Sequence, residues 1–271
     1  MRVDVNGTKT FIGTGSSTHK PGAPTLMFIH GAGMDHTVWV LPARHFARHG
    51  YNVVAPDLPG HGQSGGDPLT SIEAISDWCV ALQDAISADQ AAYVGHSMGS
   101  LISFAVAARQ PHRVSRIALL GTSAPMPVSD GLLDASRDND HAAIDMTNTW
   151  SHSASGALGS SGHPGSFNLH TGMRLLERSN DGVLYTDLAA CNAFDASMYE
   201  AGSDAASGTP ALVIAGSNDQ MTPARSGLAV ANSIPDCQHT VLPGCGHSML
   251  SEQPNQVLDA LARFLLPAPT N

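Results

Sequence analysis

Gly95-His96-Ser97-Met98-Gly99 is the stretch that decides how this chain is read. Ahead of it, Ala91-Ala92-Tyr93-Val94 is a short apolar run suited to a buried strand, and behind it Leu101 to Arg109 is alanine-rich with apolar residues at helical spacing. The serine therefore falls on a turn between a strand and a helix. So tight a turn drives its central residue into an unfavourable backbone region, and the residues two before and two after it must be nearly free of side chain. Gly95 and Gly99 meet that requirement.

A G-x-S-x-G pattern in this setting is a nucleophile elbow, and on it the chain resembles the α/β-hydrolase superfamily. The resemblance extends upstream. Thr25-Leu26-Met27-Phe28-Ile29 is a continuous apolar run, as expected of a strand covered on both faces, and it ends in His30-Gly31-Ala32-Gly33. Alone, a histidine among glycines is as well read as a packed strand-ending turn. Beside the elbow it matches the H-G-x-G-like loop of the superfamily, which implies that the Ala32 N–H is one oxyanion donor and the Met98 N–H, at the start of the following helix, is the other. Trp39, further along this loop, is read as a cavity or helix-packing residue.

Residues 41–49 read as a short helix and Tyr51-Asn52-Val53-Val54-Ala55 as the next strand. The following Asp57-Leu58-Pro59-Gly60-His61-Gly62-Gln63-Ser64 resembles the D-x-x-G-x-G-x-S turn of the same superfamily. Asp57 is read as the anchor of its own loop through backbone hydrogen bonds, and His61 as structural. Ile72, Ile75, Cys79, Leu82 and Ile86 share helical spacing, and Arg116-Ile117-Ala118-Leu119-Leu120-Gly121 forms another strand. Residues 2–12 look like an opening strand or hairpin, and 13–24 a connecting loop. Strands alternating with helices predict an α/β fold with a mostly parallel central sheet flanked by helices.

The alternation stops between about 123 and 207. Weak helical patterns at 130–150, 168–179 and 183–192 surround the Gly/Ser/His-rich stretch 151–166, read as a mobile loop. The strand-and-helix pattern resumes at Thr209. The expectation is a helical cap inserted after the sixth strand, with core segments 1–122 and 208–271 on either side of an insertion at 123–207. Leu169, Met173 and Leu176 share one helix face, and Val183, Leu184 and Leu188 another. These faces are read first as packing on the core, with some of their residues roofing the active-site cavity; Met173, Leu184 and Leu188 are the candidates for substrate contact.

After the insertion, Pro210 to Gly216 is a buried strand followed by Ser217-Asn218-Asp219, and residues 223–234 form a helix. Gln238 to Leu242 is the last strand, followed by Pro243-Gly244-Cys245-Gly246-His247, and a closing helix covers 255–266. Ser97, Asp219 and His247 thus occur in the Ser…Asp…His order of α/β-hydrolases. Each follows the C-terminal end of an expected strand, where open α/β sheets place their sites. A serine hydroxyl is a weak nucleophile near neutral pH and calls for an adjacent base. Histidine, with an ordinary pKa of about 6.5, suits that task. Ser97 is expected to attack, His247 to shuttle protons and Asp219 to orient His247. Asp195, Asp204 and Asp236 compete with Asp219, but only Asp219 combines a preceding apolar strand with a Gly-x-x-Asp turn. His96 is read as packing, Glu252 as a helix-start or loop anchor, and Cys245 as a buried thiol.

Composition sets the outer limits. With 271 residues, 42% hydrophobic and 13% charged, the chain can bury a full core. A formal charge of −10, from 13 basic and 23 acidic residues, argues against a nucleic-acid binder. No stretch has the length of a membrane span and the start lacks an apolar signal core, so a cytoplasmic location is expected. Four cysteines without C-x-x-C pairing indicate neither a disulfide scaffold nor a metal site. The sequence carries no signal for an oligomeric state.

The leading expectation is a cofactor-free, metal-free serine carboxylesterase acting on small or medium esters, lactones included. A C–C hydrolase of vinylogous diketones, a haloperoxidase-like enzyme with the same three residues, and a non-catalytic receptor on a hydrolase fold remain open beside it.

Overall fold

The computed structural model describes residues 1–159, 167–195, 197 and 208–267. Its strands are β1 (Arg2–Val5), β2 (Thr8–Gly13), β3 (Thr25–Ile29), β4 (Asn52–Pro56), β5 (Ala91–His96), β6 (Val114–Leu120), β7 (Ala211–Gly216) and β8 (Gln238–Leu242). They form one eight-stranded sheet in the order β1-β2-β4-β3-β5-β6-β7-β8. The β1–β2 hairpin joins β4 antiparallel, and every pairing from β4 to β8 is parallel. The opening segment is thus a hairpin at the edge of an otherwise parallel sheet.

The near-continuous apolar strands are explained by cover on both faces. Met27, Ile29, Tyr93, Ile117, Leu119 and Val213 point to one side. There they meet α2 (Ile72–Ala85), α3 (Met98–Arg109) and a helix after β7, Ala224–Ser233. Leu26, Phe28, Val94, Ala118, Leu120 and Ile214 point to the other side, against α1 (Val40–Arg48) and the closing helix Pro254–Leu265. Trp39 is fully buried with its ring 5.0 Å from that of Phe28, so of its two expected roles it takes packing.

Between β6 and β7 lie α4 (Asp130–Arg137), α5 (His141–Ser151), α6 (Ala154–Ala157), α7 (Asn168–Leu176) and α8 (Val183–Ala193). The single weak pattern expected over 130–150 is two helices. Asn139 turns the chain with φ of 52°, and the Asp140 side chain caps the second helix by accepting the Ala142 N–H. Much of the Gly/Ser/His-rich stretch, 160–166, lies outside the described residues, as do 196 and 198–207, with Asp204 among them. The inserted helices bring Leu132, Ala143 and Leu188 into a small cluster against which Ala32 and Leu184 pack. Among the described residues, no helix is long and apolar enough to cross a membrane. All four cysteines are free thiols.

Candidate active site

Ser97 connects β5 to α3 with φ of 54° and ψ of −121°, a conformation that side chains strain to adopt. Its surroundings impose it. The Ser97 N–H donates to the Leu120 carbonyl at 2.9 Å, and the Ser97 carbonyl accepts from both the N–H and the hydroxyl of Ser100. The flanking glycines leave no alternative residue. A Cβ at Gly95 would overlap the Gly99 carbonyl, and one at Gly99 would overlap the carbonyls of Ile29 and His30. At Gly99 the end of strand β3 and helix α3 therefore meet backbone to backbone, which brings the His30–Gly33 loop beside the serine.

Asp219 follows β7, and its carboxylate is organised before it meets histidine. Oδ1 accepts the N–H groups of Met221 (2.9 Å) and Thr222 (2.8 Å), and Oδ2 accepts the Thr222 hydroxyl at 2.8 Å. Oδ2 also lies 2.8 Å from His247 Nδ1. Burial opposes charge on Asp219, but His247 and the Thr222 donors outweigh it and hold the carboxyl below its ordinary range. With Nδ1 donating to Asp219, the lone pair of the ring is left on Nε2. The His247 loop is fastened on both sides, by Ser248 N–H to Ser151 carbonyl (2.7 Å) and by Asn218 N–H to Cys245 carbonyl (2.8 Å).

In the loop after β3, the Met34 N–H donates to the Gly31 carbonyl at 3.2 Å and the Gly33 N–H to Asp187 Oδ2 at 2.8 Å. The Ala32 N–H has no such partner among the described residues, nor does the Met98 N–H at the first turn of α3. Two free backbone donors thus flank Ser97, one of them at a helix N-terminus where negative charge is favoured.

Ser97, His247 and Ala32 meet in the wall of a cavity of about 330 Å³ between the sheet's C-terminal edge and the inserted helices. Among the described residues, Ser97 and His247 line this cavity together without a direct hydrogen bond between them. The remaining wall is Met34, Met126, Pro127, Val128, Leu132, Trp150, Leu188, Cys191 and Met221, with Ser129, Thr147, Ser151, Gln220 and Thr222 as its polar members.

The family profile described as alpha/beta hydrolase fold matches residues 24–145, and a second, described as TAP-like protein, matches residues 179–270. The chain belongs to the α/β-hydrolase superfamily. It is 29% identical to 2-hydroxymuconate semialdehyde hydrolase of Pseudomonas sp. strain CF600, over 94% of this chain and 92% of that protein. It is equally 29% identical to pimeloyl-(acyl-carrier protein) methyl ester esterase of Xanthomonas campestris pv. campestris strain B100, over 91% of this chain and 96% of that protein. Two further curated relatives, at 35% and 34% identity, are matched over only 36% and 42% of their own length. The enol-lactonase of Burkholderia xenovorans LB400 shares the fold, with a TM-score of 0.86 at 22% identity over 98% of this chain and 100% of that one.

Of the three inserted residues expected at the substrate, this α/β-hydrolase places only Leu188 in the cavity wall. Leu184 packs beside Gly33 at the edge of the Leu132–Leu188 cluster, and Met173 lies on α7 away from the wall. Helical spacing identified which residues share a face; it did not say which face turns toward Ser97. Met126, Trp150 and Met221 are wall residues without a sequence signal, because each stands in an irregular segment or on an amphipathic helix with several apolar positions.

The other singled-out residues hold loops. Asp57 accepts the N–H groups of His36 and Gln63, each at 2.8 Å, and pairs with the His36 ring at 2.7 Å. Asp35, His36 and Asp57 are close enough to be considered for a metal ion, but Asp35 is paired with Arg178 and Asp57 is spent on its loop. His96 Nε2 lies 2.9 Å from the His247 carbonyl, and the two rings are 4.8 Å apart. Glu252 accepts the Ser153 N–H (3.0 Å), the Ser153 hydroxyl (2.5 Å) and the Gly246 N–H (3.2 Å), linking the insertion to the His247 loop. Burial pushes the Cys245 thiol up to about 12, which leaves it inert as a nucleophile.

Proposed function

We propose that this α/β-hydrolase cleaves uncharged carboxylic esters of small to medium acyl groups, lactones among them, through an acyl-enzyme on Ser97. The observation that carries this reading is the make-up of the cavity wall, which among the described residues includes no lysine, arginine, aspartate or glutamate. An apolar acyl chain gains by entering such a wall, whereas a carboxylate would shed its hydration and find no partner.

In the proposed cycle, His247 Nε2 takes the proton of Ser97 Oγ as that oxygen attacks the ester carbonyl. The tetrahedral oxyanion forms against the N–H groups of Ala32 and Met98, where loss of one donor costs about 3 kcal/mol in comparable sites. His247 then protonates the departing alcohol. A water deprotonated by His247 attacks the acyl-serine, and the acid leaves with Ser97 restored. Asp219 keeps the ring in the working tautomer and stabilises its cationic form in both halves. Acyl transfer to water by this route calls on no cofactor.

A second reading, cleavage of the C–C bond of a vinylogous diketone, is favoured by the near full-length similarity to 2-hydroxymuconate semialdehyde hydrolase. An anionic muconate-type substrate is a poor match to a wall whose described residues include no Lys or Arg. Turnover of p-nitrophenyl esters of graded acyl length, lost in Ser97→Ala, is the expected result. Absence of turnover together with no labelling by a serine-directed phosphonate would falsify the ester reading, and diketone cleavage far faster than ester hydrolysis selects the second.

A further inference from the structure

One carboxylate of the insertion reaches into the core. Asp187 is the single charged residue in α8, Val183 to Ala193, and it is 1% exposed. Its Oδ2 accepts the Gly33 N–H at 2.8 Å and lies 2.8 Å from His61 Nε2. The other nitrogen of that ring, His61 Nδ1, is 2.9 Å from the Pro59 carbonyl. Both ring nitrogens of His61 therefore face acceptors, an arrangement satisfied when each carries a proton, so Asp187 and His61 form a buried ion pair. Burial works against the charge on His61, and the adjoining Asp187 carboxylate overcomes it, raising the pKa of the ring. The neighbouring His30 contrasts with it. There Nδ1 faces the Gly31 carbonyl at 2.9 Å while Nε2 accepts the Leu58 N–H at 3.1 Å, which suits a neutral ring.

The segment that Asp187 grips is held at two successive peptide planes. The Gly31 carbonyl, in the plane that carries the Ala32 N–H, accepts the Met34 N–H at 3.2 Å and lies 2.9 Å from His30 Nδ1, and Gly33, with φ of 66°, closes the next plane. The Gly33 N–H belongs to the peptide plane that follows Ala32, and an acceptor on it fixes Ala32 ψ. Asp187 is the side chain that supplies this acceptor, from helix α8, 154 positions away. We propose that Asp187 is a positioning residue for the reaction: from the inserted helix it locks Gly33, and so holds the Ala32 N–H aimed at the carbonyl oxygen above Ser97. This rests on the reading of Ser97 as nucleophile and Ala32 as oxyanion donor.

The test compares wild type, Asp187→Ala, Asp187→Asn, Asp187→Glu and Ser97→Ala, each as the full chain, on p-nitrophenyl butyrate. A trifluoromethyl alkyl ketone, which adds to a serine as a tetrahedral oxyanion, serves as the inhibitor. In Asp187→Ala, kcat is expected to fall about 100-fold with KM nearly unchanged, and ketone affinity to fall by the same factor as kcat/KM. Asp187→Asn keeps an acceptor oxygen for the Gly33 N–H and is expected within about 5-fold of wild type. A folded Asp187→Ala enzyme with wild-type kcat or undiminished ketone affinity overturns the inference, while an inactive Ser97→Ala leaves the ester reading standing. If Asp187→Ala does not fold, Asp187→Glu decides. It keeps the charge for His61 but displaces the acceptor by one methylene, so kcat is expected to fall about 10-fold, and a wild-type value overturns the inference. A wild-type chain with neither ester turnover nor phosphonate labelling removes both readings together.

Discussion

Asp219 holds His247 with one oxygen while its other oxygen is filled by the backbone: Oδ2 is 2.8 Å from His247 Nδ1, and Oδ1 accepts from Met221 and Thr222. Asp219→Asn can preserve the turn, because an amide oxygen still accepts those N–H groups. Its NH2 group then faces His247 Nδ1, which becomes an acceptor and moves the proton to Nε2. The expected result is a well-folded protein whose kcat for p-nitrophenyl butyrate is down about 10⁴-fold. Activity within tenfold of wild type would remove Asp219 from its assigned role.

The elbow makes a stability prediction that two glycines separate. At Gly95 a Cβ collides with the Gly99 carbonyl and the Ser103 hydroxyl, whereas at Gly131, in the first turn of α4, nothing lies within 4 Å. Gly95→Ala is expected to lose about 3 kcal/mol or more in urea unfolding, if it folds at all. Gly131→Ala is expected to be neutral or to gain up to about 1 kcal/mol. Equal unfolding midpoints for the two variants would contradict the packing described at the elbow.

Leu188 and Met173 divide the insertion between wall and support. Leu188→Ala removes a buried side chain from the cavity wall, so it is expected to destabilise by about 2–3 kcal/mol and to shift the preferred acyl chain to greater length. Met173→Ala leaves the acyl profile where it was. Rates across p-nitrophenyl acetate, butyrate, hexanoate and octanoate check both statements, and a profile reshaped by Met173→Ala alone would invert the assignment.

The ion pair under the Gly31–Gly33 loop gives stability a pH dependence of definite sign. The folded-state pKa of His61 is raised above its ordinary 6.5, against burial, by Asp187 and then by the Pro59 carbonyl and Asp57. Folded chains then bind the proton more tightly than unfolded ones, so this contribution is complete below about pH 6.5 and is lost as pH rises through the folded-state pKa. The melting-temperature difference between wild type and His61→Gln is expected to be largest near about pH 5.5 and to shrink toward about pH 9. A difference that widens with pH would mean that the ring is neutral in the fold.

What could be read in the sequence was what local sterics and strand ends decide. Gly95 and Gly99 are legible because the collision they avoid is with residues a few positions away or on the adjoining strand. Asp219 and His247 are legible because each follows an apolar run that stops, and side chains at such stops gather along one edge of a parallel sheet. Asp187 is not legible in that way. Its partners lie 126 and 154 positions away, and the only local sign is one charge in an otherwise uncharged helix. That Met173 and Leu184 fall outside the cavity wall has the same origin, since the docking of the inserted helices is set by contacts that no periodicity encodes.

The bond from Asp187 to Gly33 bears on how enzymes of this architecture can be recombined. Exchanging the stretch between β6 and β7 for that of another hydrolase looks like a change of substrate wall alone. Here it would also take away the clamp on the loop after β3, and a chimera lacking an acceptor side chain at that point of its fifth inserted helix would bind new substrates yet turn them over slowly. Restoring one acceptor oxygen, rather than redesigning the wall, is the repair such a hybrid calls for.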